Sequence, residues 1–289
     1  MPDNGTLSIS DDPEGIEILT GDSRHLLPQL EEGSVQCCIT SPPYWGLRDY
    51  DHPDQVGAEN LPEEYVRNLV TVFRQVRRAL SDEGIFWLNI GDGYARNGGT
   101  GRCGPNAQVG NTKKLLQHRN CRVPECWGLQ DRSLMGLPWR VAFALQEDGW
   151  LLRSRITWIK KAPMPESVKN RPSNATEDVF LFAKTPHYYY DNQAVREETG
   201  ANLRNYWLLG PDPESRNHPA IFPRELVRRC MLLGSRPGDL VLDPFSGSGT
   251  TGVVAAELGR RAILIELNQD YAVDARSRID RNAQQVLAV

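Results

Sequence analysis

The chain has 289 residues, 39% of them hydrophobic, which is enough to build the core of one large α/β unit. A net charge of −4 argues against a general nucleic-acid binder, and no apolar run is long enough to cross a bilayer. The polar, acidic leader MPDNGTLSISDDPEG lacks the order of a signal peptide, and the six cysteines form no secreted framework, so a reducing cytoplasm is expected.

In chain order, Ile16 to Leu19 reads as a short strand ended by Gly21-Asp22, and Leu26 to Leu30 as a brief helix. VQCCIT (35–40) reads as a buried parallel strand that runs into the Pro-rich loop SPPYWG. Residues 62–80 start with a proline and set Tyr65, Leu69, Val72, Phe73, Val76 and Leu80 on one helical stripe. GIFWLNIGD (84–92) is the next strand. Residues 93–133 are too long for an ordinary connection and read as an insertion. A helix at about 134–147 follows, then strands at 150–159 and about 177–184, a second irregular segment at 186–217, and a helix near 223–233. DLVLD (239–243), a Gly-rich turn, a helix to about Leu258 and the strand RAILIE (261–266) complete a βαβ unit. The alternation predicts a parallel sheet with crossover helices.

Two loops carry chemistry. DPFSGSGTT (243–251) lies between a strand and a helix; Gly247 and Gly249 allow close approach of a ligand, and the helix N-terminus favours an anionic group. It lacks the lysine of a nucleotide-triphosphate loop and the third glycine of the dinucleotide turn. Glu266 ends the following strand, where a carboxylate can hold two ribose hydroxyls. TSPPYWG (40–46) also follows a strand. Pro42 and Pro43 fix the backbone and remove two donors, so carbonyls can face a ligand. Ser41 adds a hydroxyl acceptor, and Tyr44 and Trp45 offer stacking surfaces for a planar base.

On these residues the chain resembles the amino-group DNA methyltransferases, in the permuted subclass whose catalytic motif precedes the cofactor motif. TSPPYWG is similar to their catalytic loop, LDPFSGSGTTG (242–252) to their cofactor loop, HPAIFPRELVRRC (218–230) to the element upstream of it, and IELNQDY (265–271) to the acidic motif. PWRVAFALQEDGWLLRSRITWIKKAPMPES (138–167) resembles the helix–strand body and its Pro-rich loop. The resemblance implies an S-adenosylmethionine-dependent methyltransferase fold: a circularly permuted, mostly parallel seven-stranded sheet with helices on both faces, forming one catalytic domain over 1–289. It implies S-adenosyl-L-methionine as cofactor, held by Asp243, Pro244, Phe245, Ser246, Gly247, Ser248, Gly249 and Thr250, with Glu266 on ribose and Asp22 beside adenine. Ser41, Pro42, Pro43 and Tyr44 would be catalytic, facing a base flipped out of double-stranded DNA, with Trp45 a stacking candidate. A serine before the two prolines is similar to the cytosine-N4 pattern. Adenine-N6 methylation by the same site, and methylation of a protein or RNA amino group, remain alternatives. A cytosine-C5 enzyme would need a positioned thiol, and no cysteine follows the prolines. A cognate restriction endonuclease fits such an enzyme as partner, and a membrane does not; monomer and homodimer both stay open.

Charge is segregated: residues 94–171 hold fourteen Lys or Arg against five Asp or Glu, whereas residues 1–34 hold eight acids and one base. One face built to meet a polyanion explains this, and solvated loops are the bland alternative. The insertions 93–133 and 186–217 are candidate recognition segments, with Arg96, Arg102, Lys113, Lys114, Arg119, Arg122, Arg132, Arg196, Arg204 and Arg216 as candidate DNA contacts. Cys103, His118, Cys121 and Cys126 allow a structural zinc site, with free thiols as the expectation because the spacing is loose. The remaining histidines, His25, His52, His187 and His218, have no metal-ligand spacing, and the TPHYYYDN run (185–192) offers either stacking surface or an ordinary aromatic strand end.

Overall fold

A computed structural model describes residues 15–46, 52, 55–95, 129–196, 200–211 and 223–287. Eight strands form one sheet: β1 (Ile16–Thr20), β2 (Val35–Thr40), β3 (Leu80–Ile90), β4 (Leu151–Lys160), β5 (Thr176–Ala183), β6 (Tyr206–Leu209), β7 (Leu240–Asp243) and β8 (Arg261–Glu266). Their order is β1-β8-β7-β2-β3-β5-β4-β6. Five of the seven pairings are parallel; only β5 runs against its neighbours β3 and β4. One edge of the sheet therefore gathers the C-terminal ends of β1, β8, β7, β2, β3 and β4 together with the N-terminal end of β5.

Helices cover both faces. On one side lie α1 (Ser23–Leu26), α2 (Pro62–Ala79) and α3 (Leu137–Glu147), and on the other α4 (Arg224–Gly234), α5 (Thr250–Glu257) and α6 (Gln269–Leu287). Strand β2 shows why both faces are needed. Cys38 packs with Phe73 and Val76 of α2, while Cys37 and Ile39 pack with α4, where Gly234 leaves room for the Cys37 thiol. A strand buried on both faces carries no polar alternation, as VQCCIT does not. In α2 the proline at the first turn, Glu63 and Glu64 near the N-terminus and Arg77 and Arg78 near the C-terminus suit the helix dipole. Tyr65, Leu69, Val72, Phe73 and Val76 form its buried stripe, as the sequence periodicity predicts.

The structure adds two elements to the sequence reading, and Leu80, read as the end of the helical stripe, opens β3 instead. The sheet has eight strands rather than the seven implied by resemblance, because the segment read as irregular at 186–217 contains β6. Its side chains alternate, with Tyr206 and Leu208 over half exposed and Trp207 and Leu209 buried, but YWLL has no polar residue to announce the alternation. The long helix α6 was not foreseen either. Its buried positions Ala272, Ala275 and Ile279 have helical spacing, but two are alanines and leave a faint apolar stripe.

The ends of the first insertion emerge side by side. Ala95 N–H donates to Ser133 C=O at 2.8 Å, and Arg132 N–H to Ala95 C=O at 2.7 Å. Asp92, just beyond β3, accepts from the N–H groups of Gly136 and Leu137 at 3.0 Å each, which fastens the start of α3 to the edge of the sheet where the C-terminal strand ends gather. Among the described residues, no helix is long and apolar enough to cross a membrane.

Candidate active site

The Gly-rich loop leaves the C-terminal end of β7, and the Ser-Pro-Pro-Tyr loop leaves the C-terminal end of the adjacent strand β2. Between them lies the carboxylate of Asp243, which is 0% exposed. Thr40 Oγ1 donates to its Oδ1 at 2.6 Å, Thr251 Oγ1 to its Oδ2 at 2.6 Å, and Phe245 N–H to Oδ1 at 3.1 Å. Burial pushes the Asp243 carboxyl up to about 6, against these hydrogen bonds, and the nearby Glu266 charge adds to the rise. Asp243 thus joins the two loops, and its side chain is turned inward.

The loop beyond it is held from several directions. Ser246 N–H donates to Ile265 C=O at 3.0 Å, and Gly247 N–H to Glu266 Oε2 at 2.8 Å. Asn268 N–H donates to Glu266 Oε1 at 2.9 Å. Glu266 is buried, and its carboxyl is raised by that burial against the backbone donors Asn268, Gly247 and Leu267. Arg278 of α6 donates to Thr250 Oγ1 at 2.8 Å and to the Ser248 carbonyl at 3.2 Å. Gly249 has φ +73°, and a Cβ there would stand 2.8 Å from Ala275 Cβ. Gly247, at φ +51°, has nothing within 4 Å of where a Cβ would be. Phe245 packs edge-on to Phe73, with centroids 6.3 Å apart, and the Pro244 carbonyl accepts from the Ser23 hydroxyl.

Asp22 sits at the junction of β1 and β8, where Gly21 N–H donates to Glu266 C=O at 2.8 Å. It caps α1 through Arg24 N–H at 2.8 Å and pairs with the Arg24 guanidinium. Burial works to raise its carboxyl, but the Arg24 contacts prevail and hold it below the usual range.

At the other loop, Ser41, Pro43 and Tyr44 are partly exposed and Pro42 is buried. Among the described residues no donor reaches the Pro42 carbonyl, whereas the Pro43 carbonyl accepts from Tyr65 Oη at 3.0 Å. The Tyr44 ring lies against Gly91, where any Cβ would come within 2.7 Å of it. Its hydroxyl donates to Glu177 Oε2 at 2.5 Å and accepts from Asn89 Nδ2 at 3.0 Å. Ser41 Oγ stands 3.4 Å from the same hydroxyl.

Trp45 departs from its expected role. It is 8% exposed, packs in the core under α2, and donates through Nε1 to Glu59 C=O at 2.9 Å, so its indole forms wall and not a stacking platform. Of the basic candidates, Arg132 is exposed with φ +66° and pairs loosely with Asp131 at 3.4 Å. Arg204 is exposed in the loop ahead of β6, a strand parallel to β4, and Arg196 is also described. Arg96, Arg102, Lys113, Lys114, Arg119, Arg122 and Arg216 lie outside the described residues, as do Cys103, His118, Cys121 and Cys126. The described residues contain no group of metal-ligating side chains.

Sequence reasoning missed Thr40, Asn89, Glu177, Lys160 and Arg278. Thr40 could have been found as the last side chain of β2 on the face shared with the loops. Glu177 and Lys160 needed the antiparallel pairing of β4 with β5, which the motifs do not state.

The chain over residues 35–277 matches the family model for DNA methylases of the N6/N4 type. The chain belongs to this DNA methylase family. It is 45% identical over 271 residues to the type II methyltransferase M.SmaI of Serratia marcescens, covering 92% of this chain and 91% of that one. It is 44% identical over 279 residues to the type II methyltransferase M.Cfr9I of Citrobacter freundii, covering 95% and 91%. Among solved structures, a DNA modification methylase of Thermus thermophilus in complex with S-adenosyl-L-methionine superposes with a TM-score of 0.63 at 25% identity, covering 92% of this chain and 94% of that one. The fold is also that of PvuII DNA methyltransferase, with a TM-score of 0.69 at 21% identity over 99% and 95% of the two chains. This DNA methylase is S-adenosylmethionine-dependent and acts on an exocyclic amino group, N4 of cytosine or N6 of adenine.

The donor set at the Gly-rich loop fits that cofactor. Ser246 Oγ is buried with no partner among the described residues, and the space above Gly247 is open. An unpaired buried hydroxyl and an open backbone cradle beside a carboxylate suit a ligand that brings both hydroxyls and charge.

Proposed function

We propose that this methylase transfers a methyl group to N4 of cytosine in double-stranded DNA, within a restriction-modification pair. The observation that carries the reading is the Thr40–Asp243 bond of 2.6 Å, which sets the acceptor loop beside the cofactor loop at one edge of the sheet. When bound, S-adenosyl-L-methionine supplies an electrophilic methyl group on a sulfonium. Glu266 would hold its ribose, Asp22 would lie by adenine, and the backbone from Ser246 to Thr250 would cradle the remainder. Asp243, consumed by internal hydrogen bonds, contributes through the shape of the loop.

On the acceptor side, the target base leaves the duplex at a cost of a few kcal/mol, offset by stacking on Tyr44 and by protein contacts. Ser41 Oγ and the Pro42 carbonyl accept hydrogen bonds from the amino group and aim its nitrogen. Both are neutral acceptors, so positioning is the main device. Serine in place of a carboxylate favours cytosine N4, and adenine N6 is the second reading for the same site. The order of the two loops along the chain supports the permuted subclass. Names of relatives as type II methyltransferases support a paired endonuclease.

The deciding experiment incubates the protein with unmethylated genomic DNA and labelled cofactor, digests the DNA, and identifies the labelled nucleoside by mass spectrometry. N4-methylcytosine is expected. N6-methyladenine as sole product would overturn the choice of base, and label in protein or RNA with none in DNA would reject the substrate class. Neutralising Lys113, Lys114 and Arg119 together should lower the salt dependence of DNA binding if the insertion meets the backbone.

A further inference from the structure

Behind Tyr44 lies a polar cluster that neither motif includes. Glu177 is the second residue of β5, and only 14% of its side chain is exposed. Its Oε2 accepts from Tyr44 Oη at 2.5 Å and from Asn89 Nδ2 at 2.7 Å, and its Oε1 accepts from Lys160 Nζ at 2.5 Å. Lys160 ends β4, and 29% of its side chain is exposed. Each neighbouring strand therefore supplies one partner: Asn89 from β3 and Lys160 from β4. The other charged group beside Glu177 on its own strand is Asp178, already paired with Arg155 at 2.6 Å.

The hydrogen bonds have a fixed direction. An ionised carboxylate only accepts, so the single Tyr44 hydroxyl hydrogen goes to Glu177. The Asn89 amide also presents its NH₂ to that carboxylate, leaving its own Oδ1 buried without a partner among the described residues. The Tyr44 oxygen is then an acceptor on its other side, where Ser41 Oγ stands at 3.4 Å. That contact is loose, as hydrogen bonds in an active site without substrate often are. The polarity of the chain is Ser41 to Tyr44 to Glu177.

We propose that Glu177 is the terminal acceptor of the proton released by methylation, reached from the base through Ser41 and Tyr44, with Lys160 as its ion-pair partner. The inference rests on the reading that the acceptor amino group faces Ser41. A primary aromatic amine that gains a methyl group must lose one hydrogen. The N–H bond breaks, its electron pair stays on nitrogen, and the proton passes to Ser41 Oγ. The Ser41 hydrogen moves to Tyr44 Oη and the Tyr44 hydrogen to Glu177 Oε2, so both hydroxyls are restored and Glu177 ends as a neutral acid. Its proton then leaves to water at the exposed side of the Lys160 pair. Burial, and then the Glu177 charge, push the Tyr44 phenol far above its ordinary range, but a relay that never leaves a phenolate is not opposed by this. Glu177 acts through Tyr44 and is in that sense a positioning residue for the relay.

The test compares wild type, Glu177→Gln, Tyr44→Phe and the double variant by single-turnover methylation, with cofactor affinity measured by calorimetry. Cofactor affinity should match wild type in Glu177→Gln, while the methylation rate falls at least about tenfold. The double variant should be no slower than the slower single variant, because one broken relay cannot be broken twice. A wild-type rate in Glu177→Gln would overturn the proposal, as would losses that multiply in the double variant. If Glu177→Gln does not fold, Tyr44→Phe carries the test, since it keeps the ring and removes the relay; a wild-type methylation rate there overturns it. A wild-type enzyme that methylates no base amino group would remove the underlying reading and the relay with it, a result visible without any variant.

Discussion

Thr40 and Asp243 lie 203 residues apart in the chain and are joined by a buried 2.6 Å hydrogen bond between the ends of two adjacent parallel strands. That bond ties the loop assigned to the base to the loop assigned to the cofactor. Thr40→Val keeps the volume and removes the donor, leaving one lobe of a fully buried carboxylate less satisfied. The expected loss of stability is about 1–3 kcal/mol, read from urea unfolding, with weaker cofactor binding by calorimetry. A variant as stable as wild type would show that the link carries no energy.

The pH dependence of folding should carry the signature of Asp243. Its folded-state value of about 6 lies above its ordinary value of 3.8, so the folded protein holds this proton where the unfolded chain has lost it. The contribution to stability is fully present below 3.8 and is lost as pH rises through about 6. Asp243→Asn cannot ionise and lacks this loss. Between pH 4 and pH 7.5 the stability difference should move in favour of the variant by about 2 kcal/mol. A constant difference between the two pH values would contradict the assignment.

Cofactor binding and turnover should separate. Glu266→Gln removes a carboxylate that organises Gly247 and faces the proposed ribose position, and should weaken S-adenosyl-L-methionine binding about 10- to 100-fold. Ser41→Ala should leave that affinity near wild type and abolish most methylation. Calorimetry and a filter-binding methylation assay on the same preparations read both. Equal loss of affinity in the two variants would merge the two loops into one binding site.

Two glycines offer a matched comparison. Gly33 and Gly249 have nearly the same backbone angle, φ +72° and φ +73°, but only Gly249 is blocked, by Ala275. Gly33→Ala should cost about 1 kcal/mol for conformation alone, and Gly249→Ala about 1–3 kcal/mol more for displacing α6. Equal melting temperatures for the two would mean that α6 does not brace the cofactor loop.

Much of this was legible in the sequence because it is local. VQCCIT became β2 with unchanged boundaries, and the strand–turn–helix–strand unit from Leu240 to Glu266 follows its motif to within a residue at its boundaries. The polar cluster behind Tyr44 was not legible, since Asn89 and Glu177 are 88 positions apart and meet only through antiparallel pairing of β3 with β5. Trp45 misled for a different reason. An indole after a Pro-rich turn looks the same in sequence whether it faces a base or the core, and here its N–H finds Glu59 inside. The brace supplied by Arg278 was hidden in a helix whose inner face is mostly alanine.

The pairing of β2 with β7 also constrains how the protein is made. While the chain is still being synthesised, β2 and β3 can pair early, since Val35 to Thr40 needs residues only as far as Leu88. The other edge of β2 has no neighbour until Leu240 to Asp243 has left the ribosome. Until then the apolar edge is open, and Cys37 and Cys38, fully buried in the finished fold, lie beside it. Neither nascent chain nor early-terminated product can then bring the Ser-Pro-Pro-Tyr loop and the Gly-rich loop together. The last strands close the hydrophobic edge and join the two loops in the same event.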